Sequence, residues 1–341
     1  LINAYHRPMP RATLTVVVAA FNEQDALPVL QSRLAAVLDG MDLDAHVLYV
    51  DDGSRDSTWQ VMQALAMRDP RVQLLRLSRN FGKELALTAG LDRVDSDVAV
   101  VLDADGQDPP ELIPQLVARW RDGFDVVYGT RVSRAGESWL KRITAAAFYR
   151  LMGRMSDTGI PADTGDFRLM SRRVLAALRG LRERQRFMKG LFAWVGYPQV
   201  AFPYERQPRV AGRSKFSYWR LWNFALEGIT GFSTAPLRVA TYAGLATALV
   251  AFAYGLWIIA KTLLWGDPVQ GWPTTMAVIL FLGGVQLMAL GTIGEYLGRL
   301  YIEAKQRPLY LVQEWLPGQA PAAPAHALLP QAGAAPPAGQ D

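Results

Sequence analysis

Asp103-Ala104-Asp105-Gly106-Gln107-Asp108-Pro109-Pro110 follows directly on an apolar run at residues 98–102. A short β-branched run bounded by a proline-containing turn reads as a buried strand that ends in a loop. Open α/β sheets bind ligands outside the carboxyl ends of their strands. Two carboxylates one residue apart in such a loop, Asp103 and Asp105, can hold a hard divalent cation, and the cation can hold a diphosphate. That is metal-nucleotide chemistry. A lone D-x-D is more often a solvated acidic turn, so the neighbouring loops decide its weight.

Those loops are also polar, and each follows an apolar strand pattern. Residues 14–20 form a first apolar run ending in Phe21-Asn22-Glu23, and residues 46–50 a second ending in Asp51-Asp52-Gly53-Ser54. Residues 72–77 form a third, leading into Ser78-Arg79-Asn80-Phe81-Gly82-Lys83. Between them, residues 25–38, 57–67 and about 84–92 carry helical periodicity, the second capped by Asp56 or Ser57. Alternating strands and helices imply a doubly wound, mostly parallel sheet with the polar clusters gathered on one edge. No G-x-G-x-x-G follows the first strand, and Gly82-Lys83 lacks the rest of a Walker loop.

The 341-residue chain, half of it hydrophobic, has room for a soluble domain and membrane segments. It has no cysteine, which excludes disulfides and thiolate metal sites. Its three histidines are scattered and form no zinc motif. The net charge of +5 suits a membrane surface or a phosphorylated substrate without choosing between them. Residues 1–13 contain no long apolar stretch, so no secretory signal is expected there.

Beyond residue 215 the composition changes. Residues 216–235 carry Trp219, Trp222, Phe224 and Leu226 beside Lys215 and Arg220, the pattern of an amphipathic helix in the membrane interface. Residues 239–260 and 276–293 are apolar and long enough to cross a bilayer, with Asp267, Pro268 and Pro273 in the turn between them. Lys215, Arg220 and Arg238 precede this hairpin, and Arg299, Lys305 and Arg307 follow it. The positive-inside rule then places both termini and the soluble domain in the cytoplasm. The expected organisation is a soluble domain over 1–215, an interfacial helix over 216–235, a hairpin over 236–300, a cytoplasmic segment over 301–316 and a disordered Ala/Pro-rich tail over 317–341.

Taken together and in order, these clusters resemble the family 2 inverting glycosyltransferases of the GT-A fold, and among them the polyprenyl-phosphate glycosyltransferases. The resemblance runs from about residue 14 to 315. It also includes Thr164-Gly165-Asp166-Phe167-Arg168 and Arg186-Phe187-Met188-Lys189-Gly190. The hairpin, followed by Gly294-Glu295-Tyr296-Leu297-Gly298-Arg299 and Arg307-Pro308-Leu309-Tyr310, is similar to the bactoprenol glucosyltransferase subgroup.

The resemblance implies that Asn22, Glu23, Asp52, Lys83 and Asp103 contact the nucleotide sugar, with Asp52 accepting from the uracil N–H. Lys83 reads equally as a surface residue of a first helical turn. Asp105, with Asp103 and Gln107, is implied to hold Mg2+ or Mn2+ against the diphosphate, where the metal neutralises charge on departing UDP. Arg131, Arg168, Arg209 and Lys215 are the cations available to a lipid phosphate acceptor. Asp166 is the implied catalytic base, with Asp163 as the alternative. A phosphate monoester ionises a second time near pH 6, so Asp166 can serve to orient the sugar or Arg168 instead of removing a proton.

The expected function is inverting transfer of one hexose, glucose from UDP-glucose first among the candidates, onto undecaprenyl phosphate at the cytoplasmic face of the inner membrane. The lipid-linked sugar would serve surface polysaccharide modification. Other donors in the family are mannose, N-acetylhexosamines and formyl-aminoarabinose. A non-catalytic nucleotide-sugar-binding membrane partner is the alternative of a different class. The resemblance also implies a homo-oligomer, a tetramer, and no nucleic-acid partner is expected.

Overall fold

The computed structural model describes residues 11–131, 164–184, 186–205, 235–265 and 271–318. Residues 216–234 of the expected interfacial helix, the tail beyond 318, and Asp163, Arg209 and Lys215 lie outside the described residues.

The strands form one eight-stranded sheet in the order β7-β5-β6-β4-β1-β2-β3-β8. Its centre is β1 (Thr13–Ala20), β2 (Asp44–Asp51), β3 (Val72–Leu77) and β4 (Val98–Asp103), all parallel where they pair. These are the runs predicted from the sequence, and the reason is burial on both faces. Val16 and Val18 face one core and Val17 the other, and all are fully buried. A strand covered on both sides reads as an unbroken apolar run.

The helices supply the two covers. α1 (Leu27–Asp39), α2 (Thr58–Arg68) and α4 (Ile113–Arg121) lie on one face, through Leu30, Leu34, Met62 and Leu116. On the other lie α3 (Lys83–Arg93), α5 (Arg172–Gly180) and α6 (Met188–Trp194), through Leu87, Leu91, Leu175 and Leu191. Asp56, one residue before the Ser57 N-cap, caps α2 by accepting from the Thr58 N–H at 3.0 Å.

The sheet is mixed beyond β4. There β6 (Thr164–Ser171) runs antiparallel to β4 and to β5 (Val126–Arg131), and β5 pairs in parallel with β7 (Gln199–Tyr204). The antiparallel β6 brings the start of its strand, Thr164 to Asp166, to the carboxyl ends of β4 and β5. The expectation of a mostly parallel sheet therefore holds for β4-β1-β2-β3 and for the β5–β7 pair, while β6 and β8 pair antiparallel.

Two long helices follow, α7 (Ala235–Trp265) and α8 (Trp272–Ala304), packed against each other. In α7 the stretch Val239–Trp257 is long and apolar enough to cross a membrane, with mean hydropathy 1.6 and none of it buried. Among the described residues it alone meets that test. After α8 the chain returns to the sheet. Residues of β8 (Val312–Leu316) pair antiparallel with β3 and close that edge of the sheet. The segment expected as a simple cytoplasmic extension thus completes the sheet. Tyr310 and Trp315 pack on its second core, and the Tyr310 hydroxyl donates to Asp92 at 2.8 Å.

Arg184 ties the end of α8 down. Its N–H donates to Glu303 Oε2 at 3.1 Å, and its guanidinium donates to the carbonyls of Glu303 at 2.9 Å and Arg307 at 2.5 Å.

Candidate functional site

The carboxyl ends of β1, β2, β3 and β4 face one edge of the sheet, and order reverses about β1, which lies between β4 and β2. Such a reversal opens a crevice where ligands bind in α/β folds. Every motif singled out in the first four strand–loop junctions lies at this edge.

Asn22, with φ of 56°, turns the chain out of β1. Its N–H donates to Ser54 Oγ at 3.0 Å, and its own Oδ1 accepts from the Arg55 N–H at 2.9 Å. The Glu23 N–H donates to Thr58 Oγ1 at 2.9 Å. These backbone-level bonds lock the β1 and β2 loops together. Asp51 closes its own turn by accepting from the Ser54 N–H at 2.9 Å.

Asp52 is 3% exposed, and its two oxygens accept from the Phe81 N–H at 2.7 Å and the Gly82 N–H at 2.9 Å. Burial raises its carboxyl above the ordinary range, and those two N–H groups only partly offset the effect. Asp52 is therefore the anchor of the β3–α3 loop in this structure. Gly53, with φ of 65°, lets that loop pass directly against the backbone of Arg79 and Asn80.

The loop ends at Lys83, the first residue of α3. Its ammonium lies 2.7 Å from Asp103 Oδ1 and is also paired with Asp166 Oδ2. The two readings left open by the sequence, donor contact or surface residue, resolve into a third arrangement. Lys83 bridges the carboxylate at the end of β4 to the carboxylate near the start of β6. Burial opposes the charge on Lys83, but Asp103 and Asp166 outweigh it and raise its pKa. Burial likewise opposes ionisation of Asp166, yet Lys83, Lys189 and Arg168 hold its carboxyl far below the ordinary range. These three cations favour the anionic form of Asp166.

Arg168 was expected at the acceptor phosphate. It is 4% exposed, with its guanidinium stacked over the Phe192 ring at 3.9 Å and donating to the Gly165 carbonyl at 2.9 Å. Burial lowers its pKa to about 10. Placed like this, it supports Asp166 from within the protein instead of facing the open edge. Arg131 ends β5 at the same edge, and its side chain lies outside the described residues.

In the loop after β4, Asp105 Oδ1 accepts from the Gln107 N–H at 3.2 Å, and Gly106 takes φ of 70°. Asp108 is buried at 1% exposure and accepts from the Tyr204 hydroxyl at 2.6 Å, which pins the far end of the loop to β7. The donor set is two carboxylates and one amide, all hard oxygen ligands. Such a set fits Mg2+ or Mn2+ completed by substrate phosphates and water. Among the described residues no group of three or more His, Cys, Asp or Glu converges on a common point, so the protein alone offers a partial shell.

Sequence reasoning missed Glu84 as a site residue. It lies beside Lys83 at the start of α3, and its Oε2 accepts from the Met188 N–H at 3.2 Å. Burial, with the neighbouring Asp166 charge, pushes its carboxyl up to about 7. Its position inside the Asn80 to Glu84 motif was the available signal. Asp108 and Tyr204 were also missed, because a pair 96 residues apart leaves no local pattern. A cavity of about 610 Å³ lies between α1 and the end of α2, lined by Gln31, Leu65, Asp69 and Arg71, and no candidate residue lines it.

Residues 15–179 match the model of glycosyl transferase family 2, and residues 235–300 match that of the GtrB C-terminal hairpin. The chain is 50% identical over 301 residues to an uncharacterized glycosyltransferase of Synechocystis, covering 88% of this chain and 95% of that one. It is 47% identical over 300 residues to the bactoprenol glucosyl transferase of Shigella phage SfV, covering 88% and 98%. It is 45% identical over 300 residues to a prophage bactoprenol glucosyl transferase homolog of Escherichia coli K12, again covering 88% and 98%. These similarities extend across both the sheet and the hairpin, and the chain belongs to the family 2 glycosyltransferases, in the group that carries the GtrB C-terminal hairpin.

Proposed function

We propose that this glycosyltransferase moves a single hexose, glucose from UDP-glucose, onto undecaprenyl phosphate at the cytoplasmic face of the membrane, inverting the anomeric carbon. The observation that carries the reading is the convergence of Asp103, Lys83 and Asp166 at the carboxyl edge of the sheet. The similarity to bactoprenol glucosyl transferases supports the acceptor class and the sugar.

In this reading Asp103, Asp105 and Gln107 hold Mg2+ or Mn2+. The metal, when bound, supplies Lewis-acid neutralisation of charge on the departing diphosphate. Asn22, Glu23 and Asp52 form the floor under the nucleotide. Asp52, with both oxygens already engaged by the β3–α3 loop, shapes the uracil site and retains lone pairs for a further N–H.

The acceptor phosphate, largely a dianion at neutral pH, needs little help losing a proton. Asp166, kept anionic by Lys83, Lys189 and Arg168, orients the sugar and the incoming phosphate oxygen. Arg168 acts through Asp166. Arg131, Arg209 and Lys215 remain the cations for the acceptor phosphate, with Asp163 as the neighbour that can share the work of Asp166.

The membrane assignment rests on exposed apolar surface. On α7, Leu245, Leu249 and Phe252 are exposed, and on α8 Phe281, Leu287 and Met288 are exposed. Residues 276–293 of α8 contain no Asp, Glu, Lys or Arg. Surface of this kind on paired helices calls for lipid or for further copies of the hairpin. The flanking Lys and Arg residues support a multi-pass hairpin with both ends in the cytoplasm, and a tetramer through these helices is part of the reading.

The test is transfer from a panel of radiolabelled nucleotide sugars to undecaprenyl phosphate, with the purified full chain in detergent and Mg2+ or Mn2+. Labelled lipid from UDP-glucose alone is the expected result. Labelled lipid from a mannose, N-acetylhexosamine or formyl-aminoarabinose donor would keep the reaction and change the sugar. No lipid product from any donor would overturn the acceptor assignment.

A further inference from the structure

Lys83 is placed where a metal-dependent transferase has most use for a removable cation. Its ammonium pairs with Asp103, the first carboxylate of the D-x-D, and with Asp166, which is outside that motif. Glu84 adds a third carboxyl within electrostatic reach of both Lys83 and Asp166. Asp103 and Asp166 come from adjacent antiparallel strands, so without a cation between them two anions would face each other across the mouth of the site. Lys83 removes that repulsion.

We propose that Lys83 and the divalent metal compete for Asp103, so that Lys83 is a resident counter-ion which metal binding must displace. The inference rests on the metal-dependent reading given above. A divalent ion that uses Asp103 would share its carboxylate with Lys83, and it would bring two positive charges toward one. Both cations cannot keep the same carboxylate at full strength. Asp166 gives the ammonium somewhere to stay, since that second pairing does not involve a D-x-D oxygen. A lysine suits such an exchange. Its head is a compact charge on a flexible four-carbon stem, whereas a guanidinium fork is fixed in its geometry. The Lys83 side chain is also 45% exposed, which leaves the stem room to swing.

The consequence differs from that of an ordinary site residue. Removing a substrate contact weakens binding, whereas removing a competitor strengthens it. In Lys83→Met the metal should bind more tightly, by about tenfold, while sugar transfer falls because Asp166 has lost its partner.

The experiment measures Mn2+ binding to the full-length enzyme in detergent, without nucleotide, from the loss of the electron paramagnetic resonance signal of free Mn2+. Wild type, Lys83→Met, Lys83→Gln and Lys83→Arg are compared, each alone and with Asp105→Asn. Tighter binding in either neutral variant, with Lys83→Arg within about twofold of wild type and all binding lost on Asp105→Asn, supports the proposal. Asp105-dependent binding that is unchanged or weaker in the neutral variants overturns it and leaves the metal site standing. A tenfold gain in Lys83→Arg also overturns it, since that variant keeps the competing charge. Mn2+ binding that never depends on Asp105 overturns the metal reading beneath it as well.

Discussion

Gly53→Ala is the substitution whose cost can be worked most directly from the structure. Gly53 sits in the Asp-Asp-Gly-Ser turn after β2 with φ of 65°, where an L side chain costs roughly 1–2 kcal/mol. A Cβ there would lie 2.4 Å from the Arg79 carbonyl carbon, 2.7 Å from the Asn80 nitrogen and 2.8 Å from the Arg79 Cα. All three are backbone atoms, so no rotamer change relieves the overlap and the 78–82 loop itself must move. That loop is held by the Phe81 and Gly82 N–H groups on the Asp52 carboxylate. Weakening one or both of these charge-assisted bonds costs roughly a further 1.5–3 kcal/mol each. The total is about 2.5–8 kcal/mol, a large share of the 5–15 kcal/mol that typical domains possess. Because the loop leads straight into Lys83, the damage reaches the Asp103–Lys83–Asp166 bridge. The control is Gly123→Ala, where φ is 100° but no atom lies within 4 Å of the added carbon. Thermal unfolding in detergent should show Gly53→Ala lower by about 10 °C, with Gly123→Ala losing a few degrees at most. Calorimetric UDP binding should be lost in the first and kept in the second. Equal melting temperatures for the two variants, or wild-type UDP affinity in Gly53→Ala, would refute the reasoning.

Asp105→Asn should abolish transfer while the protein still partitions into membranes; retained labelled-lipid production would remove Asp105 from the metal shell. Lys215→Ala should raise the KM for the polyprenyl phosphate with donor binding unchanged, and an unaltered acceptor KM would return Lys215 to an ordinary surface cation. Glu84→Gln should show a pH-dependent stability gain. The folded-state carboxyl is pushed up to about 7 from 4.5, so its contribution is fully present below about pH 4.5 and is lost as pH rises through 7. A shift of that size corresponds to roughly 3 kcal/mol, and the melting-temperature difference between variant and wild type should widen from pH 5 to pH 8. A constant difference would place the Glu84 proton elsewhere. Arg184→Ala removes the two guanidinium bonds to the carbonyls of Glu303 and Arg307, leaving only the backbone N–H bond to Glu303 Oε2. Hydrogen exchange should rise in 303–316 with β4 unaffected, and unchanged exchange there would show that β8 docks without Arg184.

What the sequence disclosed, and what it withheld, follows from how far apart the interacting residues are. The first four strands and the three helices between them were legible because each is buried through its own periodic residues. The Leu27, Leu30 and Leu34 stripe and the unbroken 98–102 run are local signals. Their loops were legible for the same reason, since turn residues mark the strand ends. The antiparallel β6 was not, because its direction depends on partners at Val98–Val101 and Val126–Tyr128 that nothing within residues 164–171 encodes. Nor was β8, whose pairing with β3 spans the whole hairpin.

The same distinction separates what kind of site this is from how it works. Residue types in a single loop raised the expectation of a cation at Asp103 and Asp105, and the family resemblance that of a nucleotide at Asp52 and Lys83. The relations among them arise only when β4, α3 and β6 are brought to one edge. Asp166 and Asp103 are far apart in sequence and share one lysine in the fold. Arg168, two residues from Asp166 on the same strand, was expected among the cations available to the acceptor phosphate. Burial against Phe192 assigns it a different task, because a guanidinium stacked at 3.9 Å on a ring and 4% exposed cannot also be a solvent-facing phosphate ligand. Its positive charge still acts on Asp166 across a medium that screens poorly. Asp166→Asn with Arg168 intact identifies the step that Asp166 serves: loss of transfer with UDP affinity preserved assigns Asp166 to the acceptor step, whereas loss of both places it at the donor.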